Sequence, residues 1–179
     1  TGNVDDVLGF LGLDSRISPK YLKAGTSYGG TCFPRDCKAF ATCSPHDASI
    51  PAAIDRFNDQ HTQYVVNAID SLVLPASTIS VLGTSFKPDT TVTTCSASLA
   101  IAGALEKLGH TVRTHDPQAE CSCASLEGCL NNSDMAVLAT PWGQLVRVDP
   151  KRFYHLMRTP RVYDCWRMWN KTEFRNAGV

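Results

Sequence analysis

The 179-residue chain lacks the features that would assign it to a membrane, to nucleic acid or to secretion. No apolar run approaches the roughly 18 residues that a membrane-spanning helix needs. Charged residues are scarce at 19%, and 17 basic residues balance 17 acidic ones, which leaves no electrostatic footprint for nucleic acid or an anionic surface. The opening TGNVDDVLGF has neither an initiator Met nor a basic and then apolar leader. We therefore expect a cytoplasmic piece of a longer protein, with no signal peptide and no nucleic-acid or membrane partner.

The cysteines form no Cys-x-x-Cys pair, so the commonest spacing of a zinc site is missing. There are eight of them, at positions 32, 37, 43, 95, 121, 123, 129 and 165. Disulfide frameworks occur mainly in small secreted domains, and a chain of this length with 43% apolar residues can build a hydrophobic core instead. We expect reduced thiols and no bound metal. A redox-sensing or metal-binding protein with paired thiols or zinc remains the alternative.

After Pro75 the sequence alternates short apolar segments with a helical pattern. The predicted helix covers 96–108, with Ser96 as its N-cap, and the predicted strands cover 78–83, 111–115, 135–139 and 161–164. Alternation of this kind predicts a parallel sheet with covering helices. We therefore expect a Rossmann-like domain over 76–179.

Before Pro75 the pattern is helical and contains one glycine-rich loop. Apolar spacings of three and four predict a helix over 5–13 that ends near Gly12, and a long helix over 46–74. The residues between them, 15–40, are predicted to form the loop. A helix of about 40 Å favours a connection between two domains or a dimer interface. The prediction is thus an α/β chain whose first part, 1–75, is helical and ends in a long connecting helix.

The first predicted strand does not end in the G-x-G-x-x-G fingerprint of a dinucleotide site. It ends instead in Gly83-Thr-Ser-Phe-Lys87. We therefore predict that this turn does not hold NAD in the usual way. Lys87 lies at the carboxyl end of the strand, from which a side chain can still reach a phosphate or a sugar.

Cys32 is the strongest nucleophile candidate. It follows a glycine pair, lies near Lys23, Arg35 and Lys38, and has Asp36 four residues further on. Nearby cations stabilise a thiolate, and a carboxylate can position water or transfer a proton. A structural role is the more common fate of a cysteine in such a loop, and the residues alone leave both readings open.

Longer stretches resemble the UDP-glucose/GDP-mannose dehydrogenase family. The segment 21–36, YLKAGTSYGGTCFPRD, is similar to the family's catalytic cysteine loop. Further similar segments follow in the family's order: Gly12–Ile17, Val81–Thr90, Leu108–Val112, His115–Pro117 and Val137–Trp142. The resemblance covers essentially the whole chain. It implies that 1–75 is the end of the central domain, which carries the catalytic cysteine and dimerises, and that 76–179 binds the UDP or GDP of a nucleotide-sugar.

The resemblance implies an NAD-dependent oxidoreductase that converts the C6 alcohol of a nucleotide-sugar to a carboxylate in two hydride transfers. UDP-glucose to UDP-glucuronate, used in polysaccharide biosynthesis, is the first expectation. Cys32 would form the thiohemiacetal and the thioester, Asp36 would handle water and protons, and both would face the nicotinamide. NAD itself would bind mainly to an N-terminal domain that this chain lacks, so we expect the chain alone to be inactive.

The resemblance also assigns substrate contacts in several regions. The loop residues that would wrap the sugar and diphosphate are Tyr21, Leu22, Lys23, Tyr28, Gly29, Gly30 and Phe33. Phe86 and Lys87 would contact the nucleotide-sugar from the C-terminal domain, and Arg167 would correspond to a late substrate-binding arginine. Arg16 would reach the substrate of the neighbouring subunit, which implies a homodimer.

One departure from the family pattern keeps a second function open. Thr94 stands where the family has an arginine that contacts NAD across the domain interface. Replacing such an arginine removes a charge-assisted contact to a pyrophosphate. The alternative is a non-catalytic nucleotide-sugar-binding or dimerisation fragment, or a degenerate paralogue. The sequence does not distinguish uridine from guanosine nucleotides or one sugar from another.

Overall fold

Four short segments pair as a parallel sheet in the computed structural model, which describes residues 2–43 and 49–179. The strands are β1 (Thr78–Leu82), β2 (Thr111–His115), β3 (Met135–Leu138) and β4 (Val162–Asp164). Their order in the sheet is β2-β1-β3-β4, and every pairing is parallel. Because β2 and β3 leave β1 on opposite sides, the carboxyl ends of β1 and β3 border the crevice where ligands of such sheets bind.

Helices surround this sheet and precede it in the chain. Those before the sheet are α1 (Val4–Leu11), α2 (Phe33–Cys43) and α3 (Ser49–Asp70). Those within the sheet domain are α4 (Ala97–Lys107), α5 (Leu126–Leu130), α6 (Gly143–Val146), α7 (Pro150–Leu156) and α8 (Lys171–Asn176). Within the described ranges, no helix is both long enough and apolar enough to cross a membrane.

The two faces of the sheet bury separate apolar clusters, as the alternation of side chains along a strand requires. One cluster contains Ile79 and Val81 of β1, together with residues of α4 and the last part of α3. The other joins Leu138 of β3 to α5, α7 and α8, with Phe153 and Trp169 among its large side chains. Because α3 contributes Val65, Val66 and Ile69 to the first cluster, it is anchored in the sheet domain.

The predicted mixed α/β fold with a parallel sheet is confirmed, and the strands differ from their predicted bounds by one residue at most. Ser96 is the N-cap of α4 as predicted, although its hydroxyl makes no capping hydrogen bond. The helix predicted over 5–13 runs from Val4 to Leu11 and is closed by Gly12.

Two predictions before the sheet were wrong in extent. The loop predicted over 15–40 ends early, because Phe33–Cys43 is helical. Pro34 is compatible with the first turn of a helix, where its missing N–H has no partner to lose, and the carbonyl of Cys32 accepts the N–H of Asp36 at 2.8 Å. The long helix ends at Asp70 and not at residue 74. Its 22 described residues span about 33 Å. The predicted start at 46–48 lies outside the described residues.

Candidate functional site

The glycine-rich loop rests directly on the sheet domain through three positions where a side chain would not fit. A Cβ atom on Gly25 would lie 2.6 Å from the ring of Trp166, and one on Gly30 would lie 2.7 Å from the ring of Phe86. A Cβ atom on Gly29 would overlap the carbonyl oxygen of Cys95. These glycines therefore hold the loop against the ends of β1 and β4, which brings the two parts of the chain together.

Gly30 connects the loop to Phe86, one of the residues predicted to contact the nucleotide-sugar. Its φ of +86° lies in the left-handed region that favours glycine, and its N–H donates to the carbonyl of Thr94 at 3.0 Å. Phe86, on which it packs, is followed by the exposed Lys87, whose Nζ lies 5.6 Å from the centre of the Phe86 ring. Cys32 is two residues after Gly30, so the loop that carries the cysteine packs against the Phe86–Lys87 turn.

Cys32 has an exposed thiol immediately before the first residue of α2. Its Sγ lies 3.6 Å from the hydroxyl of Thr31. Asp36 follows one turn later, and its carboxylate accepts a hydrogen bond from Arg35 Nε at 2.8 Å. This hydrogen bond raises the pKa of Arg35, and the nearby Asp36 and Cys32 charges add to the effect. The nucleophile candidate thus lies at a helix N-terminus with a carboxylate and a guanidinium within one turn.

A buried carboxylate, that of Asp116, holds the Gly83–Lys87 turn in place. Asp116 follows β2, is 4% exposed, and accepts the backbone N–H groups of Thr84 at 2.7 Å and Ser85 at 3.0 Å. It also accepts the indole N–H of Trp142 at 3.0 Å. Burial alone would raise its pKa, but the backbone N–H groups of Ala119, Gln118, Ser85 and Thr84 outweigh burial and lower the pKa to about 2.

The same contacts decide whether the turn fits a dinucleotide. Backbone N–H groups at such a turn normally face a pyrophosphate, whereas here those of Thr84 and Ser85 are occupied by Asp116. Gly83, with φ of +92°, is pressed against Thr140 of the neighbouring loop. The turn is therefore filled by the protein's own groups, and these two N–H groups are not free to face a pyrophosphate.

Leu22, Lys23 and Arg167 line one cleft of about 330 Å³ between α1, the loop and the turn after β4. Arg167 has a φ of +55°, and its guanidinium donates to Asp5 at 2.6 Å and to Asn3 at 2.9 Å. These contacts link the beginning of the chain to the end of the sheet. They also place two of the predicted substrate cations, Lys23 and Arg167, on the same surface.

The remaining predicted residues occupy different surroundings. Tyr28 is partly buried, and its ring centre lies 6.0 Å from that of Phe33. Tyr21 is 95% exposed. Arg16 has a side chain that is 87% exposed and pairs with Asp14 at 2.6 Å, which lowers the pKa of that carboxyl group. Arg16 and Tyr21 thus point to solvent in the single chain.

None of the eight cysteines, all of which the structure describes, is paired in a disulfide. Over the ranges 2–43 and 49–179, no three His, Cys, Asp or Glu side chains gather in a way that could hold a metal ion.

Comparison with known families decides the relationship. The model of the UDP-glucose/GDP-mannose dehydrogenase family's UDP binding domain matches residues 80–171, and the model of its central domain matches residues 1–60. The chain belongs to this family. The first of these matches covers the sheet from the middle of β1 onward, together with the Phe86–Lys87 turn, and the second covers the cysteine loop.

Curated members of the family are similar over almost the entire chain. The UDP-glucose 6-dehydrogenase of Rhizobium meliloti is 32% identical, over 98% of this chain and 44% of its own length. The UDP-glucose 6-dehydrogenase TuaD of Bacillus subtilis is 28% identical, over 98% of this chain and 42% of its own length. The chain therefore spans less than half the length of these relatives.

Two solved structures of nucleotide-sugar dehydrogenases share the fold. A UDP-glucose dehydrogenase from Pyrobaculum islandicum superimposes with a TM-score of 0.77 at 26% identity, over 95% of this chain and 41% of that one. An NDP-N-acetyl-D-galactosaminuronic acid dehydrogenase from Methanosarcina mazei gives a TM-score of 0.83 at 20% identity, over 98% of this chain and 42% of that one. At that lower identity the likeness shows the fold alone.

Asp116→Asn should destabilise the chain by about 2 kcal/mol at neutral pH, because an amide cannot accept as many hydrogen bonds and has no charge. The folded-state pKa of Asp116 is depressed to about 2, so its contribution is present above about pH 4 and is lost as the pH falls toward 2. Urea unfolding between pH 7 and pH 3 measures both effects. Asp89→Asn, an exposed position in the following loop, is the matched control. Equal stability of the two variants would show that Asp116 does not hold the turn.

Proposed function

We propose that this chain is the substrate-binding half of an NAD-dependent nucleotide-sugar 6-dehydrogenase. Its first part, 1–75, would present the catalytic cysteine, and its second part, 76–179, would bind the nucleotide. The contact between Gly30 and Phe86 is the observation that carries this proposal, because it packs the loop that carries Cys32 against the turn that bears Lys87. UDP-glucose is the first candidate substrate, since the curated relatives are named for it.

The charges on the site match an extended anionic ligand. The loop runs from Gly25, at Trp166, to Gly30, at Phe86, so it crosses the carboxyl edge of the sheet. Lys87 lies at one end of this path, and Lys23 lies at the other, in the cleft where Arg167 is already paired with Asp5. A diphosphate carries negative charge that such cations bind, and a nucleoside and a sugar extend from its two ends. This supports a nucleotide-sugar as the ligand.

Cys32 would act as the nucleophile on the C6 aldehyde of the sugar. Its thiolate adds to the carbonyl carbon, and the oxygen takes up a proton to give a thiohemiacetal. Loss of a hydride from C6 and a proton from oxygen gives the thioester. The N-terminal end of α2 favours negative charge at this position. NAD would supply the hydride acceptor for this oxidation and for the preceding one at the alcohol, from a domain other than these two.

Asp36 would assist the final hydrolysis. It lies in the first turn of α2, and its N–H donates to the carbonyl of Cys32 at 2.8 Å, which supports this role. A carboxylate there can take the proton of a water that attacks the thioester, which releases the uronate and returns the Cys32 thiol. The product would serve polysaccharide synthesis.

A second copy of the chain would cover the first half of α3. Ile50, Ile54 and Phe57 follow one another at helical spacing and are 70%, 46% and 69% exposed. The exposed Arg16 would then be available to the partner's substrate.

Sedimentation should show a dimer that Ile54→Glu dissociates, because a charge would be buried in an apolar contact. A native chain that stays monomeric at high concentration would contradict the homodimer.

A non-catalytic binding module is the second candidate, and Thr94 is the observation that favours it. Thr94 is exposed and provides no cation where the family has an arginine, although its carbonyl still holds Gly30. Such a module would bind nucleotide-sugars but would give no uronate when the missing domain is supplied.

Lys87→Ala should weaken the binding of the preferred nucleotide by about tenfold, because it removes a charged hydrogen-bond donor worth about 1.5 kcal/mol. Calorimetry of the chain with UDP, UDP-glucose, GDP and GDP-mannose measures the effect and identifies the base. Lys107→Ala changes a lysine in the last turn of α4. It is the control and should bind the nucleotides as the native chain does. Unchanged affinity in Lys87→Ala would exclude Lys87 from the nucleotide site, and the absence of binding to all four ligands would count against the proposed function.

A further inference from the structure

The side chain of Asn58, on α3, pairs with both polar groups of one residue in the glycine-rich loop. The N–H of Tyr28 donates to Asn58 Oδ1 at 2.8 Å, and Asn58 Nδ2 donates to the carbonyl of Tyr28 at 3.0 Å. A carboxamide is the side chain that can both accept and donate in this way. Asn58 thus satisfies both the N–H and the C=O of Tyr28, as the backbone of a neighbouring strand does in a β-sheet.

Two further residues on the same face of α3 hold the preceding part of the loop. His61 Nε2 donates to the carbonyl of Gly25 at 3.0 Å, and the hydroxyl of Thr62 shares a hydrogen bond with that of Ser27. The spacing of three and four residues from Asn58 brings all three side chains to one side of the helix. The His61 ring is stacked near Phe57 and Tyr64, with centroid distances of 6.4 and 6.3 Å. The helix therefore fixes the loop along 25–28.

Tyr28 connects the part of the loop that α3 holds to the segment that contains Cys32. Its ring packs near Phe33, the residue after Cys32, and its hydroxyl is buried without a hydrogen-bond partner among the described residues. Burial raises the pKa of that hydroxyl to about 12, with Cys37 and the acidic side chains of α3 adding to the effect. Only residues 29–32 lie between the two rings, and Gly30 in that segment is bonded to Thr94.

We infer that Asn58 is a positioning residue for Cys32: by pairing with the peptide groups of Tyr28 it holds the cysteine at the sugar end of the bound nucleotide-sugar. This inference rests on the proposed function. Without the pair, the loop would gain conformations that leave Cys32 out of reach of the sugar, and two partly buried backbone groups would lose their partners. His61 and Thr62 restrain earlier residues and do not replace it.

Hydrogen exchange and thiol protection test this inference on the 179-residue chain. Asn58→Ala should raise the exchange rate of the Tyr28 amide at least about tenfold, because the N–H loses its acceptor. With UDP-glucose at saturation, iodoacetamide should alkylate Cys32 of the native chain slowly and Cys32 of Asn58→Ala at close to the unliganded rate. Asn67→Ala, an exposed asparagine of the same helix, should behave as the native chain does.

Asn58→Asp keeps an acceptor for the Tyr28 N–H but no longer donates to its carbonyl. Compared with Asn58→Ala, it should keep exchange at the Tyr28 amide slow and regain part of the protection of Cys32. A general loss of stability in Asn58→Ala would not predict this difference between the two variants. It also serves as the test if Asn58→Ala does not fold. Protection of Cys32 in Asn58→Ala equal to that in the native chain would overturn the inference while leaving the proposed function intact. Failure of UDP-glucose to protect native Cys32 would overturn both.

Discussion

The close approach of the backbone at Gly25, Gly29 and Gly30 to the sheet domain is the constraint on which the site depends. Each of these positions faces a group that leaves no room for a Cβ atom: the Trp166 ring, the Cys95 carbonyl and the Phe86 ring. Because these contacts are made by backbone atoms, the loop packs closely against the carboxyl edge of the sheet. The segment that leads into Cys32 and α2 therefore packs against the Phe86–Lys87 turn.

The sheet domain has the topology of a nucleotide-binding fold, but it uses the crevice differently from a dinucleotide domain. Asp116 supplies an internal negative charge to the N–H groups that would otherwise face a phosphate. Its depressed pKa keeps that charge in place across the physiological range. The proposed function therefore assigns ligand binding to side chains such as Lys87 and to the glycine-rich loop, and it assigns NAD to a separate domain.

The sequence predicted the strands well, because each is a short apolar run that ends at a turn residue. It also predicted the family, because several segments resemble the family in the right order. It did not predict α2, because Pro34 and the glycines before it indicated a loop. In the structure, the hydrogen bond from the N–H of Asp36 to the carbonyl of Cys32 marks the beginning of the helix. The roles of Asn58 and Asp116 could not be predicted for a different reason. Asn58 pairs with Tyr28, 30 residues away, and Asp116 pairs with Thr84, 32 residues away. No local pattern marks a side chain whose role is to pair with a distant backbone.

The rate at which iodoacetamide alkylates Cys32, measured with and without saturating UDP-glucose, tests most directly whether the loop and the sheet domain form one site. Peptide mapping separates Cys32 from the exposed Cys43, which serves as the internal control. The account predicts that UDP-glucose slows alkylation of Cys32 and leaves Cys43 unchanged. Binding of UDP-glucose with no change in the Cys32 rate would contradict it, since the cysteine would then lie away from the bound sugar.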